Sequence, residues 1–142
     1  MYTIRILDAG VVSNDSTIYQ AERIVWWTES CCPGGTGNYV FTEASRGING
    51  SNANFTTPAF DFSPLSIPQI TFRYHMSGID MGTLMLWAWN GVAYDTVMMV
   101  SGDQGSLWNE AIIDLSNYTN DTLHFVFHAV RGSGLSSDIA ID

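Results

Sequence analysis

The chain has 142 residues, enough for one domain with a substantial core, and it is 46% hydrophobic but only 13% charged. The net charge is -9, there is no lysine and the five arginines are scattered, which excludes nucleic-acid binding through a basic patch. No apolar run approaches the roughly 20 residues that span a bilayer, so we expect no membrane insertion.

Period-two alternation of apolar and polar residues dominates the chain, and helical periodicity is absent. This pattern predicts an all-β protein, an antiparallel β-sandwich of jelly-roll type, with a single domain over residues 1–142. The prolines at 33, 58, 64 and 68 all fall in predicted loops. In chain order, the predicted strands are Tyr2–Leu7, Arg23–Thr28, Asn38–Glu43, Asn54–Phe55, Gln69–Met76, Gly82–Trp89, Ala93–Val100, Glu110–Asp114, Thr122–Val130 and Asp138–Ile141.

Alternation also predicts which side of each strand faces the core. In the strand Gln69–Met76 the larger apolar side chains share one face, and the same holds in Thr122–Val130. The residues that we expect in the core are Ile70, Phe72, Tyr74 and Met76 from the first strand, and Leu123, Phe125, Phe127 and Ala129 from the second.

The strand Gly82–Trp89 departs from this pattern because both of its faces are apolar. Leu84, Leu86 and Ala88 can fill the core, which leaves a second face that must be covered. Loops of the same chain, another subunit or a ligand could cover it. The candidate ligand or partner surface consists of Met85, Trp87 and Trp89.

A series of short motifs in the C-terminal half resembles the MAM domain, an extracellular adhesion and interaction module with a β-sandwich fold. The resemblance extends upstream to Gly37–Ser45 and covers about Val25 to Asp142, whereas residues 1–24 match poorly. The two cysteine pairs usual in animal members are absent. In order, the motifs are Phe72-Arg73-Tyr74-His75-Met76-Ser77-Gly78, Gly82-Thr83-Leu84, Ser101-Gly102-Asp103-Gln104-Gly105 with Trp108, and Ser137-Asp138-Ile139-Ala140-Ile141-Asp142.

This resemblance implies a secreted or cell-surface, non-catalytic module for protein adhesion or self-association. The family continues by one more strand after the motif that ends at Asp142. Either the chain is a fragment of a larger extracellular protein, or the open edge accepts a strand from a neighbour, such as Tyr2–Leu7 of another copy. Repeated head to tail, such donation would build a surface filament. The alternative is a carbohydrate-binding module that uses Trp87, Trp89 or Trp108.

Five Asn-x-Ser/Thr sequons favour a secreted glycoprotein. Two adjacent cysteines, Cys31 and Cys32, are too close for an ordinary disulfide because neighbouring Cα atoms are only about 3.8 Å apart. Reduced thiols, a strained vicinal disulfide and bonds to other chains all remain open. The glycosylation candidates are Asn14, Asn49, Asn54, Asn117 and Asn120.

Acidic residues near strand ends suggest a structural calcium ion, because related sandwiches hold a hard cation with carboxylates and backbone carbonyls. Solvated carboxylates of an acidic protein are the alternative interpretation. Any calcium would stiffen loops and take no part in chemistry. The candidate ligands are Asp8, Glu43, Asp138 and Asp142.

Other arrangements of polar residues give little indication of chemistry. His124 and His128 are separated by about 13 Å along an extended strand, too far to share a zinc ion, and we interpret His75 as a packed side chain. Asp80 and Asp95 could act as an acid and a base only if they met. No sequence motif of a nucleophile, metalloprotease or phosphate-binding loop occurs, so we expect no enzyme. We expect Arg131 to pair with a carboxylate of the sandwich, with Asp103 as the first candidate, and a ligand contact is the alternative.

Overall fold

The computed structural model describes residues 5–6, 26–29 and 39–142, which form eleven strands and no α-helix. Two short 3-10 turns lie at Ala44–Arg46 and Ser116–Tyr118. None of the helical segments in these ranges is long and apolar enough to cross a membrane. The strands are β1 (Arg5–Ile6), β2 (Trp26–Glu29), β3 (Tyr39–Thr42), β4 (Asn52–Thr56), β5 (Phe60–Asp61), β6 (Gln69–Met76), β7 (Thr83–Trp89), β8 (Tyr94–Ser101), β9 (Asn109–Asp114), β10 (Thr122–Val130) and β11 (Ile139–Ile141).

Two antiparallel sheets pack against each other as a β-sandwich, as the alternation predicted. The first sheet runs β2, β3, β11, β6 and β9, with β1 also paired to β6. The second runs β4, β10, β7 and β8, with β5 paired to the start of β10. The predicted bounds of β6 and β10 are confirmed, and the strand β5 was not predicted.

The core lies between the sheets and is built mainly from β6, β7 and β10. The predicted inward faces of β6 and β10 are confirmed, since Phe72 and Phe127 meet across the sandwich with ring centroids 4.9 Å apart at 88°. Val126 is also buried although it faces the other way, because Thr56 and Trp87 lie opposite it on the two neighbouring strands.

The strand β1 shares an edge of β6 with β11. Along one edge of β6, residues 69–74 pair with β9. The opposite edge pairs with β11 through residues 74–76 and with β1 through Ile70 and Thr71. Arg73 and Asp142 exchange backbone hydrogen bonds of 2.8 and 2.9 Å between these two stretches. β1 therefore occupies a part of this edge of β6 that β11 does not cover. We call this part of β6, Ile70 and Thr71, the edge slot.

Several predictions concern residues outside the described ranges. The strands Tyr2–Leu7 and Arg23–Thr28 are described only at Arg5–Ile6 and Trp26–Glu29. Asp8, Asn14, Cys31 and Cys32 lie outside the described residues. The cysteine states and these two candidate positions therefore stay as predictions.

Candidate interaction surface

The outer face of the second sheet carries the predicted surface residues. Along β7 the buried positions alternate with half-buried ones, because Leu84 and Leu86 point into the core. Met85, Trp87 and Trp89 consequently point away from it, as the sequence indicated. The three side chains form a central row on this face, between β8 and β10.

Aromatic and imidazole rings from three strands extend this row into a continuous cluster. Trp87 stacks on His128 of β10, with ring centroids 4.2 Å apart and planes 19° apart. On the other side, Tyr94 of β8 lies 5.7 Å from Trp87 and 4.4 Å from Trp89. His124 lies 6.3 Å from Trp89. We call these five residues the aromatic ladder. Neighbouring strands thus supply part of the cover that the apolar face of β7 requires.

A β-bulge in β8 brings Tyr94 into the ladder. Met85 pairs with Met99 and Leu86 with Met98, but Trp87 then pairs with Thr96. The extra residue, Val97, packs against the core, as does Met98. Without the bulge, strict alternation would place Asp95 opposite Trp89 instead of Tyr94. Tyr94 was not predicted as part of this surface, because no local signal in the sequence marks the extra residue.

Asn54 on β4 lies next to the aromatic ladder, and its side-chain Oδ1 is 2.6 Å from Nδ1 of His128. An oxygen can only accept, so Nδ1 carries the hydrogen that it donates to Asn54. Burial lowers the pKa of His128 from its ordinary 6.5, because desolvation disfavours the imidazolium. His128 is therefore neutral at physiological pH.

This lowered pKa predicts that acid weakens the fold. The unfolded chain takes up a proton on His128 at a higher pH than the folded chain does. Stability contributed by this residue is complete above the unfolded pKa and declines as the pH falls through it. We expect the urea midpoint to drop between about pH 7.5 and about pH 5.5, and to drop less in His128→Gln. His124→Gln is the control, and an equal drop in all three proteins would contradict the prediction.

The remaining histidine lies on the other sheet. His75 packs against Trp108 at 5.6 Å, and its Nε2 donates to the carbonyl oxygen of Ser106 at 3.3 Å. Tyr39 lies on Trp108 at 5.6 Å in an edge-to-face arrangement. These contacts join β3, β6 and the segment before β9. Trp108 therefore anchors a loop of the sandwich.

The predicted calcium residues separate into two places. Oδ1 of Asp138 accepts from the amide of Ala44 at 2.7 Å, and Glu43 accepts from the amide of Ser45 at 3.1 Å. Desolvation raises the pKa of Asp138, and the negative charge of Glu43 adds to this. Asp142 lies beyond the other end of β11, about 13 Å away along the strand. Within the described ranges no three potential ligands gather. Calcium at Glu43 and Asp138 stays a prediction.

The predicted pair of Arg131 and Asp103 is wrong. Arg131 is buried, and its Nε donates to the carbonyl oxygen of Ala44 at 2.6 Å. Asp103 instead accepts from the amides of Gly105 at 3.0 Å and Gly78 at 3.1 Å, and these bonds lower its pKa. The carboxylate closes its own turn through these two amides and makes no pair with a cation among the described residues.

Asp80 and Asp95 do not meet. Asp80 accepts from the hydroxyl of Ser133 at 3.3 Å, in the connection before β7. Asp95 pairs with Ala88 near the far end of β7 and accepts from the hydroxyl of Tyr118. Burial, together with Asp95, raises the pKa of Tyr118 to about 12. The two carboxylates consequently form no acid–base pair.

A family model described as "MAM domain, meprin/A5/mu" matches residues 20–142. The chain belongs to the MAM family. This match confirms the resemblance that the motifs of the C-terminal half indicated. It begins within residues 1–24, the segment that resembles the family poorly, and leaves β1 outside the matched region.

Curated relatives place this MAM domain outside the cell. It is 34% identical over 110 residues to MAM domain-containing glycosylphosphatidylinositol anchor protein 1 of Gallus gallus, covering 75% of this chain and 11% of the relative. Neuropilin-1 of Xenopus laevis is 32% identical over 111 residues, covering 76% and 12%. The chain spans about a tenth of the length of these relatives. The domain is an extracellular or cell-surface interaction module.

A solved structure shares the fold. The K1 cleaved adhesin domain of Lys-gingipain from Porphyromonas gingivalis superposes with a TM-score of 0.63 and covers 84% of this chain and 80% of its own. Sequence identity is only 13%. The likeness therefore concerns the sandwich alone.

Proposed function

We propose that this MAM domain is a non-catalytic adhesion module that associates with copies of itself by exchanging its N-terminal strand. The observation that carries the proposal is the edge slot on β6, where β1 pairs with Ile70 and Thr71. The chain's own N-terminal strand fits this position. An identical strand from a neighbour would make the same backbone hydrogen bonds.

The size of the pairing supports exchange between chains. Among the described residues, β1 pairs with β6 through two residues, whereas β9 pairs with six residues on the opposite edge. Because the described part of this pairing holds few hydrogen bonds, we expect local opening of the edge slot to be inexpensive. If each copy donates its strand to the next, the interface between copies is heterologous. Such an interface builds a filament unless the rotation between successive copies closes a ring.

Deletion of residues 1–10 tests this function. We expect the intact chain to form oligomers or filaments, seen by light scattering and electron microscopy, and the deleted chain to remain monomeric. Ile6→Pro is a subtler variant, because proline removes a backbone donor from β1 without shortening the chain. It should also abolish assembly, and circular dichroism should report a retained β-sandwich. A monomeric intact chain would overturn self-association through this strand.

The alternative function is a carbohydrate-binding module. Its support is the aromatic ladder, in which Tyr94 is 58% exposed. Because His128 covers one face of Trp87, a soluble sugar would have to stack elsewhere on the ladder, for example on the exposed Tyr94. Tryptophan fluorescence quenching by soluble sugars, absent in Trp87→Ala and Trp89→Ala, would favour this alternative over adhesion.

A further inference from the structure

The sequon at Asn54 differs from the other described sequons in its position. Asn49 lies in the turn before β4, and Asn117 and Asn120 lie in or beside the 3-10 turn before β10. Asn54 lies within β4, on the outer face of the second sheet, and its side chain is exposed. It is the one among these four whose side chain contacts the aromatic ladder.

We infer that Asn54 carries an N-linked glycan whose first sugars lie over the aromatic ladder. The hydrogen bond from His128 uses Oδ1 of Asn54, at 2.6 Å. Nδ2, the atom that bears a glycan, is on the other branch of the planar amide and takes no part in this hydrogen bond. The existing contact is therefore compatible with glycosylation and would orient the linkage beside the rings.

The chemistry requires a lipid-linked oligosaccharide diphosphate as the donor. A bond forms between Nδ2 of Asn54 and the anomeric carbon of the first sugar, while the bond from that carbon to the diphosphate oxygen breaks. Nδ2 loses one proton to the solvent, and the lipid diphosphate leaves with the electron pair of the broken bond. Thr56 completes the Asn-x-Thr acceptor and points to the same face, opposite Val126.

The surroundings of Asn54 suit a sugar. Its neighbour His128 stacks on Trp87 at 4.2 Å, so the first sugar would start next to an aromatic edge. Pyranose rings and acetamido methyl groups offer C–H groups that pack on such rings, and their hydroxyls stay in water. Asn54 also lies on the strand at the end of the second sheet's order. The glycan would cover the outer face, including part of Met85 and Trp87.

The inference rests on the extracellular location and is independent of strand exchange. Its test uses the whole chain secreted from a eukaryotic cell line, with enzymatic glycan release in heavy-oxygen water followed by peptide mass spectrometry. We expect an Asn-to-Asp conversion carrying the heavy label at Asn54. An unoccupied Asn54 would overturn the inference, and assembly through the edge slot would be unaffected by that result.

A second measurement tests the position of the sugar. Ring currents of Trp87 and His128 should shift the N-acetyl methyl resonance of the first sugar upfield relative to the same group on Asn117. Thr56→Val removes the sequon but keeps Asn54 and its bond to His128, so it should abolish this signal and increase acrylamide quenching of tryptophan fluorescence. Asn117→Gln is the matched control and should change neither. A glycan on Asn54 with an unshifted methyl signal would refute packing on the ladder.

Discussion

Gly132→Ala should prevent stable folding. A Cβ added to Gly132 would lie 1.7 Å from the backbone oxygen of Asp80 and 2.7 Å from the carbonyl carbon of Met81. Both obstacles are backbone atoms in the connection before β7, so no side-chain rotation can make room. Overpacking a tight site usually costs about 1–3 kcal/mol, and a clash with fixed backbone belongs to the exceptional class above about 4 kcal/mol. That loss approaches the whole stability of a marginal domain, about 5–15 kcal/mol.

Gly82→Ala should also prevent stable folding, because Gly82 lies on the chain segment that packs against Gly132. Its Cβ would lie 1.9 Å from the backbone oxygen of Val130 and 2.6 Å from the amide of Gly132. The two connections therefore approach each other backbone to backbone, and each needs a glycine for space. Soluble yield and the urea midpoint would measure the loss.

Gly50→Ala is the control for this pair. Nothing lies within 4 Å of its added Cβ, but Gly50 has a φ of +83°, which an alanine adopts at a cost of about 1–2 kcal/mol. We expect this variant to fold with moderately reduced stability. Equal losses in Gly50→Ala and Gly132→Ala would contradict the role of close approach.

These glycines illustrate what the sequence could and could not predict. Gly82 was visible as part of a family motif, and so were glycines 102 and 105, whose φ values are positive at 79° and 82°. Close approach is a different requirement, because it depends on two connections that are about 50 residues apart in the chain. Local composition indicates a turn glycine, and only the fold reveals a packed one.

The strands also differ in how well the sequence predicts them, because regular strands follow the alternation and a bulged strand does not. Alternation gave the bounds of β6 and β10 and their core faces, because both strands lie inside a sheet and bury one regular set of side chains. The bulge at Val97 breaks that regularity in β8, the last strand in the order of its sheet, where one extra residue reverses the faces. Tyr94 and His128 joined the candidate surface only through cross-strand register.

The corner after β3 has a polar network that no spacing in the sequence predicts. Arg131 Nε donates to the carbonyl oxygen of Ala44, and the backbone amide of Ala44 donates to the carboxylate of Asp138. Both backbone groups of this buried residue are thus satisfied by side chains from the connection between β10 and β11. Arg131 and Asp138 consequently hold β3 and its following 3-10 turn against the C-terminal motif.

Arg131→Met should remove much of the stability of this corner. Methionine retains the length of the stem but removes the 2.6 Å bond to the Ala44 carbonyl, which then keeps only the longer bond of 3.4 Å from the amide of Gly47. A hydrogen bond from a charged group contributes about 1.5–3 kcal/mol. We expect a loss of about 2 kcal/mol and a fall in Tm of about 8 °C, measured by calorimetry.

Two further variants separate the hydrogen-bond role of Arg131 from its charge. Arg73→Met removes an exposed arginine and should change stability by no more than about 0.5 kcal/mol. Asp138→Asn keeps an oxygen that accepts from Ala44, and desolvation already disfavours the charged carboxylate there, so this variant should stay close to the native stability. If Asp138→Asn were as damaging as Arg131→Met, attraction between the two charges, and not the bonds to Ala44, would hold the corner together.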